Sequence, residues 1–117
     1  MASPRTLELA GPACEGVFSA IDFVRTDKSP QIQEFVKKYE ARFNTPSDNV
    51  AAKAYECLYL LAQAIEKSGQ DKTKLRDTVL NMKYDGMTGT TQFDKSGGNL
   101  QKPNVVVIKD GMPYKYE

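Results

Sequence analysis

From Val50 to Ile65 apolar residues return at helical spacing: Val50, Ala51, Ala54, Tyr55, Leu58, Leu61, Ala62 and Ile65, with Tyr59 and Leu60 widening the stripe. A stripe this wide predicts a helix covered on more than one side. The helix opens at Ser47 or Asp48 and closes at Ser68–Gly69, where glycine supplies the left-handed cap. An apolar stripe has to be buried against another element, so the rest of the chain is read as a search for that cover.

The remaining elements supply little of it. Ser29 and Pro30 start another helix, carrying Ile32, Phe35, Val36, Tyr39 and Phe43 on one face, and it stops near Asn44 ahead of Pro46. A shorter helix follows Thr73 as its cap and runs through Leu75, Val79 and Leu80. Strand signals are few: GVFSAIDF (16–23), VVVIK (105–109), and a return strand MPYKY after the Asp110–Gly111 turn, with Pro113 placing that return on an edge. Three amphipathic helices on about three short strands make an α/β chain that is short of sheet.

Composition narrows the function classes. The formal net charge of +1 offers no basic patch for nucleic acid. No segment approaches the roughly 18 apolar residues of a membrane span, and MASPRTLELAG has no apolar core of a secretory signal. Histidine is absent, which removes the commonest general base and the commonest transition-metal ligand. Cys57, within the helical apolar pattern, reads as a buried small hydrophobe, and a Cys14–Cys57 disulfide stays open.

Candidate chemistry does not survive inspection. Counted from Asp94, DKSGGN puts Asn99 at position six and Val105 at position twelve, where a calcium loop needs glycine and glutamate. No glycine is followed by lysine, as a P-loop requires, and GxSxG is absent. Glu34, Glu40, Glu56 and Glu66 fall beside the apolar stripes, as solvated helix faces do. The residues point to no enzyme and to no cofactor.

The polar stretch YDGMTGTTQFDKSGGNL, residues 84–100, has no apolar run long enough for a helix or a buried strand. Connections of this length are uncommon in compact domains unless they are functional or disordered.

In series, these pieces resemble the C-terminal third of the branched-chain amino-acid-type periplasmic binding proteins. LAGPACEGVFSAIDF is similar to the segment that ends one lobe. SPQIQEFVKKYEARFNTPSDNVAAKAYECLYLLAQAIEKSG is similar to the helical pair that follows, and DGMTGTTQFDKSGGNLQKPNVVVIKDG to the final crossover and closing strands. The resemblance implies a partial type I periplasmic-binding-protein fold: 7–23 ending one lobe, 29–83 the helical part of the other, 84–104 a hinge crossover and 105–116 the closing strands. It implies an amino acid or similar small organic acid held between two lobes. The membrane subunits of an ABC importer are the implied partners, and the periplasm or extracellular space the implied location.

The resemblance places one ligand-site position at Val50, with Asn49 its neighbour. Core packing is the competing expectation for Val50. Gly86, Gly89, Phe93, Asp94, Gly97 and Gly98 become hinge residues, the glycines absorbing backbone rotation. Rival expectations are a self-associating structural fragment without ligand and the ligand-binding part of a sensory receptor. Exposed stripes also predict a homo-oligomer for so short a chain.

Overall fold

The computed structural model describes residues 3–116. The elements in chain order are α1 (Pro4–Ala10), a 3-10 turn (Gly11–Cys14), β1 (Phe18–Ile21), α2 (Pro30–Phe43), α3 (Asn49–Ser68), α4 (Lys72–Asn81), β2 (Tyr84–Gly86), β3 (Gly89–Thr91), β4 (Asn104–Lys109) and β5 (Met112–Lys115). They fall into two units. One takes in the described residues through Ala52 together with those from Pro103 onward; the other is Lys53–Lys102. Helix α2 falls in the first unit with β1, β4 and β5.

The first unit is built on an antiparallel sheet in the order β1-β4-β5. Phe18 faces Val107 and Ser19 faces Val106 across β1–β4, while Ile108 faces Pro113 across β4–β5. Directly opposed residues share a face, so Val106, Ile108 and Pro113, all buried, form one side. Phe18, Val105, Tyr114 and Tyr116 are exposed, and Phe18 meets Tyr116 edge-on at 4.9 Å between ring centroids. Asp110 and Gly111 both take positive φ, as a two-residue hairpin turn requires. The Glu15 carboxylate accepts from both of their amides, at 3.0 and 2.8 Å.

Helix α2 follows its sequence pattern. Pro30 holds its first turn, Asn44 ends it in the left-handed conformation, and Ile32 and Phe35 are buried. The rings of Phe23 and Phe35 meet edge-on at 5.6 Å, and Tyr39 and Phe43 continue the aromatic row. Arg25 Nε donates to Glu40 at 2.9 Å, and Gln33 donates to the carbonyls of Arg25 and Asp27. Ser29 sits at the cap position without a side-chain cap bond, so proline and packing fix this start.

The second unit buries Leu60, Ala64, Met82 and Tyr84, with Leu75, Val79 and Phe93 packed against them. Helix α4 is capped by Asp71, whose Oδ1 accepts from the Thr73 and Lys74 amides, and not by Thr73 as the sequence suggests. Asp71 reaches the first free amides from two residues before Thr73, which leaves Thr73 inside the helix.

Helix α3 departs furthest from expectation. Its buried line is Ala52, Glu56, Leu60 and Ala64, four residues apart. Val50, Tyr55, Leu58, Tyr59, Leu61 and Ile65, all on the apolar stripe, are exposed. Small residues allow close approach of neighbouring chain, whereas the larger apolar residues stay exposed. Cys57 lies on that open side and is exposed, while Cys14 is buried, and both thiols are free.

Candidate functional site

Asn49 and Val50 form the first turn of α3, and the structure gives them different tasks. Asp48 Oδ1 accepts from the Ala51 amide at 2.8 Å and opens the helix. Asn49 Oδ1 accepts from the Phe23 amide at 2.9 Å, which ties this helix end to the chain just beyond β1. Val50 is 73% exposed, so it packs in no core among the described residues. Asn49 also lines a cavity of about 50 Å³ with Pro4, Leu7, Ile21, Phe23 and Ser47 among its neighbours. Ser47 is 1% exposed and its Oγ has no hydrogen-bond partner among the described residues. Small-molecule pockets run to roughly 300–1,000 Å³, so this cavity holds water-sized guests, not an amino acid.

The 84–100 stretch is built structure. Strands β2 and β3 form a tight hairpin in which Tyr84 faces Thr91 and Gly86 faces Gly89. Three-residue strands are too short to announce themselves by alternation, which is why the sequence shows none. Beyond them Asp94 organises a second turn: Oδ1 accepts from the Ser96 amide at 2.8 Å, the Gly98 amide at 2.9 Å and the Ser96 hydroxyl at 2.6 Å. The Ser96 hydroxyl bond, followed by the Gly98 and Ser96 amides, holds the Asp94 carboxyl below its ordinary range. Phe93 packs inward and pairs with Asn99 in a single bridge.

The four glycines serve two purposes. Gly89 and Gly97, at φ +116° and +88°, occupy backbone that side chains rarely adopt. Gly86 and Gly98 do not; they make room. A Cβ at 86 would run into the Glu56 carboxylate and the Tyr84 ring, and one at 98 would lie 2.8 Å from Asp94 Oδ2.

Glu56 itself, expected on a solvated face, is 4% exposed. Its Oε1 accepts from the Thr88 amide at 2.9 Å and its Oε2 from the Thr88 hydroxyl at 2.6 Å. Lys53 Nζ lies 3.4 Å from Oε2 and donates to Thr88 Oγ1 at 3.0 Å and Gln101 Oε1 at 2.8 Å. Gln101 Nε2 returns a bond to the Thr88 carbonyl at 2.6 Å. Burial, and after it the Glu56 charge, push the nearby Tyr84 hydroxyl above its usual range.

A family model described as periplasmic binding protein matches residues 1–111. The chain belongs to the periplasmic binding proteins. It superposes on a leucine-binding protein, LivK, from Thermotoga maritima with TM-score 0.82 and 22% identity, covering 99% of this chain and 34% of that one. A putative branched-chain amino acid ABC transporter protein from Rhodospirillum rubrum gives TM-score 0.76 at 30% identity, over 97% of this chain and 34% of that one. The branched-chain amino acid substrate-binding protein LivJ from Streptococcus pneumoniae, solved with isoleucine, gives 0.78 at 21%, over 95% and 32%. The chain thus spans about a third of the length of these relatives.

The expected site residues of this periplasmic binding protein chain are drawn from both units. Asn49 and Val50 belong to the first unit, and the residues from Gly86 to Gly98 to the second. The described residues hold no group of three or more acidic or cysteine side chains placed for a metal, and none of their helices is long and apolar enough to cross a membrane. The Glu56–Lys53–Thr88–Gln101 cluster went unread because a glutamate between apolar positions normally points to solvent. One signal was present. Ala52, Glu56, Leu60 and Ala64 recur every fourth residue, and the alanines mark the side where chain approaches closely.

Proposed function

We propose that this chain supplies one part of a two-lobed solute-binding protein of an ABC importer, which takes a branched-chain amino acid or a similar small organic acid between its lobes. The observation that carries the reading is the family match across residues 1–111. It is supported by superposition on proteins solved with isoleucine and with benzoate, both small carboxylates with an apolar body. Binding proceeds by hinge closure without bond chemistry. The reading puts Val50 against the apolar part of the ligand, since its exposure at the start of α3 leaves it available, and gives Asn49 the task of fixing that turn. Gly86 to Gly98 act as the hinge connection, the membrane subunits of the importer are partners, and the working location is periplasmic or extracellular.

Calorimetry tests this in two steps. The chain alone gives no saturable heat with leucine, isoleucine or benzoate, because on this reading two lobes hold the solute and the chain spans about a third of its relatives' length. Exchanged for the matching third of the Rhodospirillum rubrum relative, it yields a chimera that binds, and Val50→Ala weakens that binding by about tenfold, the worth of one buried apolar side chain truncated. A folded chimera that binds none of a broad panel of amino and aromatic acids overturns the reading.

A second reading rests on the open face of α3. Val50, Tyr55, Leu58, Tyr59, Leu61 and Ile65 are exposed together on one helix, and contiguous apolar patches of this kind are rare on monomers. In isolation the chain pairs with a copy of itself through that face, and light scattering reports a species above 13.0 kDa.

A further inference from the structure

Within the second unit one carboxylate holds a segment far along the chain. Glu56 is buried on the inner line of α3 and bonds both the amide and the hydroxyl of Thr88, in the turn between β2 and β3. Lys53, one turn back on the same helix, carries the grip onward to Gln101. Gln101 in turn bonds the Thr88 carbonyl, closing a ring of four side chains around the turn. Gly86 leaves open the space that the carboxylate fills.

Other contacts of the 86–101 segment are the ladder of β3 to Tyr84 and Asp85 in its own hairpin, the Asp94 turn, the Phe93–Asn99 bridge and the Leu100 amide on the Gln92 carbonyl. Phe93 adds an inward apolar anchor to the buried cluster, and buried Thr91 faces Tyr84 of that cluster.

We infer that Glu56 is a latch: its buried carboxylate, with Lys53, decides whether the Gly86–Gln101 segment is held on α3 or opens as a unit while the helices stay folded. A buried acceptor with several charge-assisted bonds is strong when complete and costly when broken. The segment is therefore released nearly all at once. This goes beyond the solute-binding reading and rests on it only for its use, because a hinge connection with a releasable anchor can reset its path during closure.

Amide hydrogen exchange on the chain as it stands, without ligand, tests the latch apart from any solute. Glu56→Gln preserves shape and removes the charge. The expected result is exchange about 10- to 100-fold faster at Thr88 and across 86–101, the size a hydrogen bond to a charged group implies, with α4 unchanged. Leu60→Ala serves as the control, since it loosens the core and speeds exchange in α3, α4 and the hairpin together. If Glu56→Gln fails to fold, Thr88→Ala and Gln101→Ala carry the test, each expected to open 86–101 selectively. Uniform loss of protection in all folded variants, or no change at Thr88, overturns the latch. Absence of solute binding in the chimera leaves these exchange patterns untouched, so the two readings fail separately.

Discussion

Helices α2 and α3 carry comparably regular apolar stripes, yet they use them in opposite ways. Helix α2 buries Ile32 and Phe35 and half-buries Val36 and Tyr39, leaving only Phe43 of its stripe exposed, at the helix end. Helix α3 turns Ala52, Glu56, Leu60 and Ala64 inward and leaves Leu58 70% exposed, with Tyr55, Tyr59, Leu61 and Ile65 beside it. A helix that is apolar around most of its circumference is made for two neighbours. Among the described residues, full burial on α3 is confined to the line of Ala52, Glu56, Leu60 and Ala64. The lesson is that period alone says a helix is amphipathic, while residue size says which side its own chain approaches.

The largest effect that sharpens this contrast is Phe35→Ala. It removes a ring buried against Phe23 and should cost about 3–5 kcal/mol, read from urea unfolding. Against a total of roughly 5–15 kcal/mol, the first unit is left barely folded. Next, Ala64→Leu forces bulk into the close approach on α3 and should cost about 1–3 kcal/mol by the same measurement. If it is neutral, the inner line is looser than its full burial implies.

Leu58→Ala should change the unfolding free energy by less than about 0.5 kcal/mol yet lower the apparent mass in light scattering. A large stability loss in a monomer would mean that α3 buries its outer face after all. The smallest effect concerns acid. The Asp27 carboxylate is held below its ordinary value by its Lys115 hydrogen bond first and the Ser29 amide next. A depressed carboxylate stabilises the fold above its unfolded pKa and loses that contribution as pH falls through the lower folded value. Wild type should therefore lose stability faster than Asp27→Asn below about pH 4. The difference at neutral pH should be about 1 kcal/mol or less, because Lys115 is half exposed. Parallel acid curves would sink the assignment.

Much of this architecture was legible beforehand where signals are local. Pro30 and Asn44 bound α2, Gly69 closes α3, and Asp110–Gly111 makes the terminal hairpin, each because one residue's own backbone preference sets the geometry. The order of motifs also carried the family, which residues 1–111 bear out. What escaped is long-range. β2 and β3 are too brief to show a period, Glu56 is buried only because Thr88 and Lys53 come to meet it, and Cys57 is exposed because its helix face is open. The roles of Asn49 and Val50 rest on family likeness; geometry adds only that one is pinned and the other free of the core.

The pairing of β1 with β4 has a consequence for how the chain is made. Phe18 finds Val107 only after nearly the whole sequence has been synthesised, and Glu15 finds its turn at Asp110 and Gly111 later still. The second unit has no such wait, since α3, α4 and the β2–β3 hairpin are neighbours in sequence. On a ribosome it can condense while β1, with Phe18 at its start and Val17 just before it, remains unpaired and open to wrong partners. Closing so long a loop is slow, so the sheet forms last. A chain ending before Asn104 would keep the helices of its second unit and never acquire its three-stranded sheet.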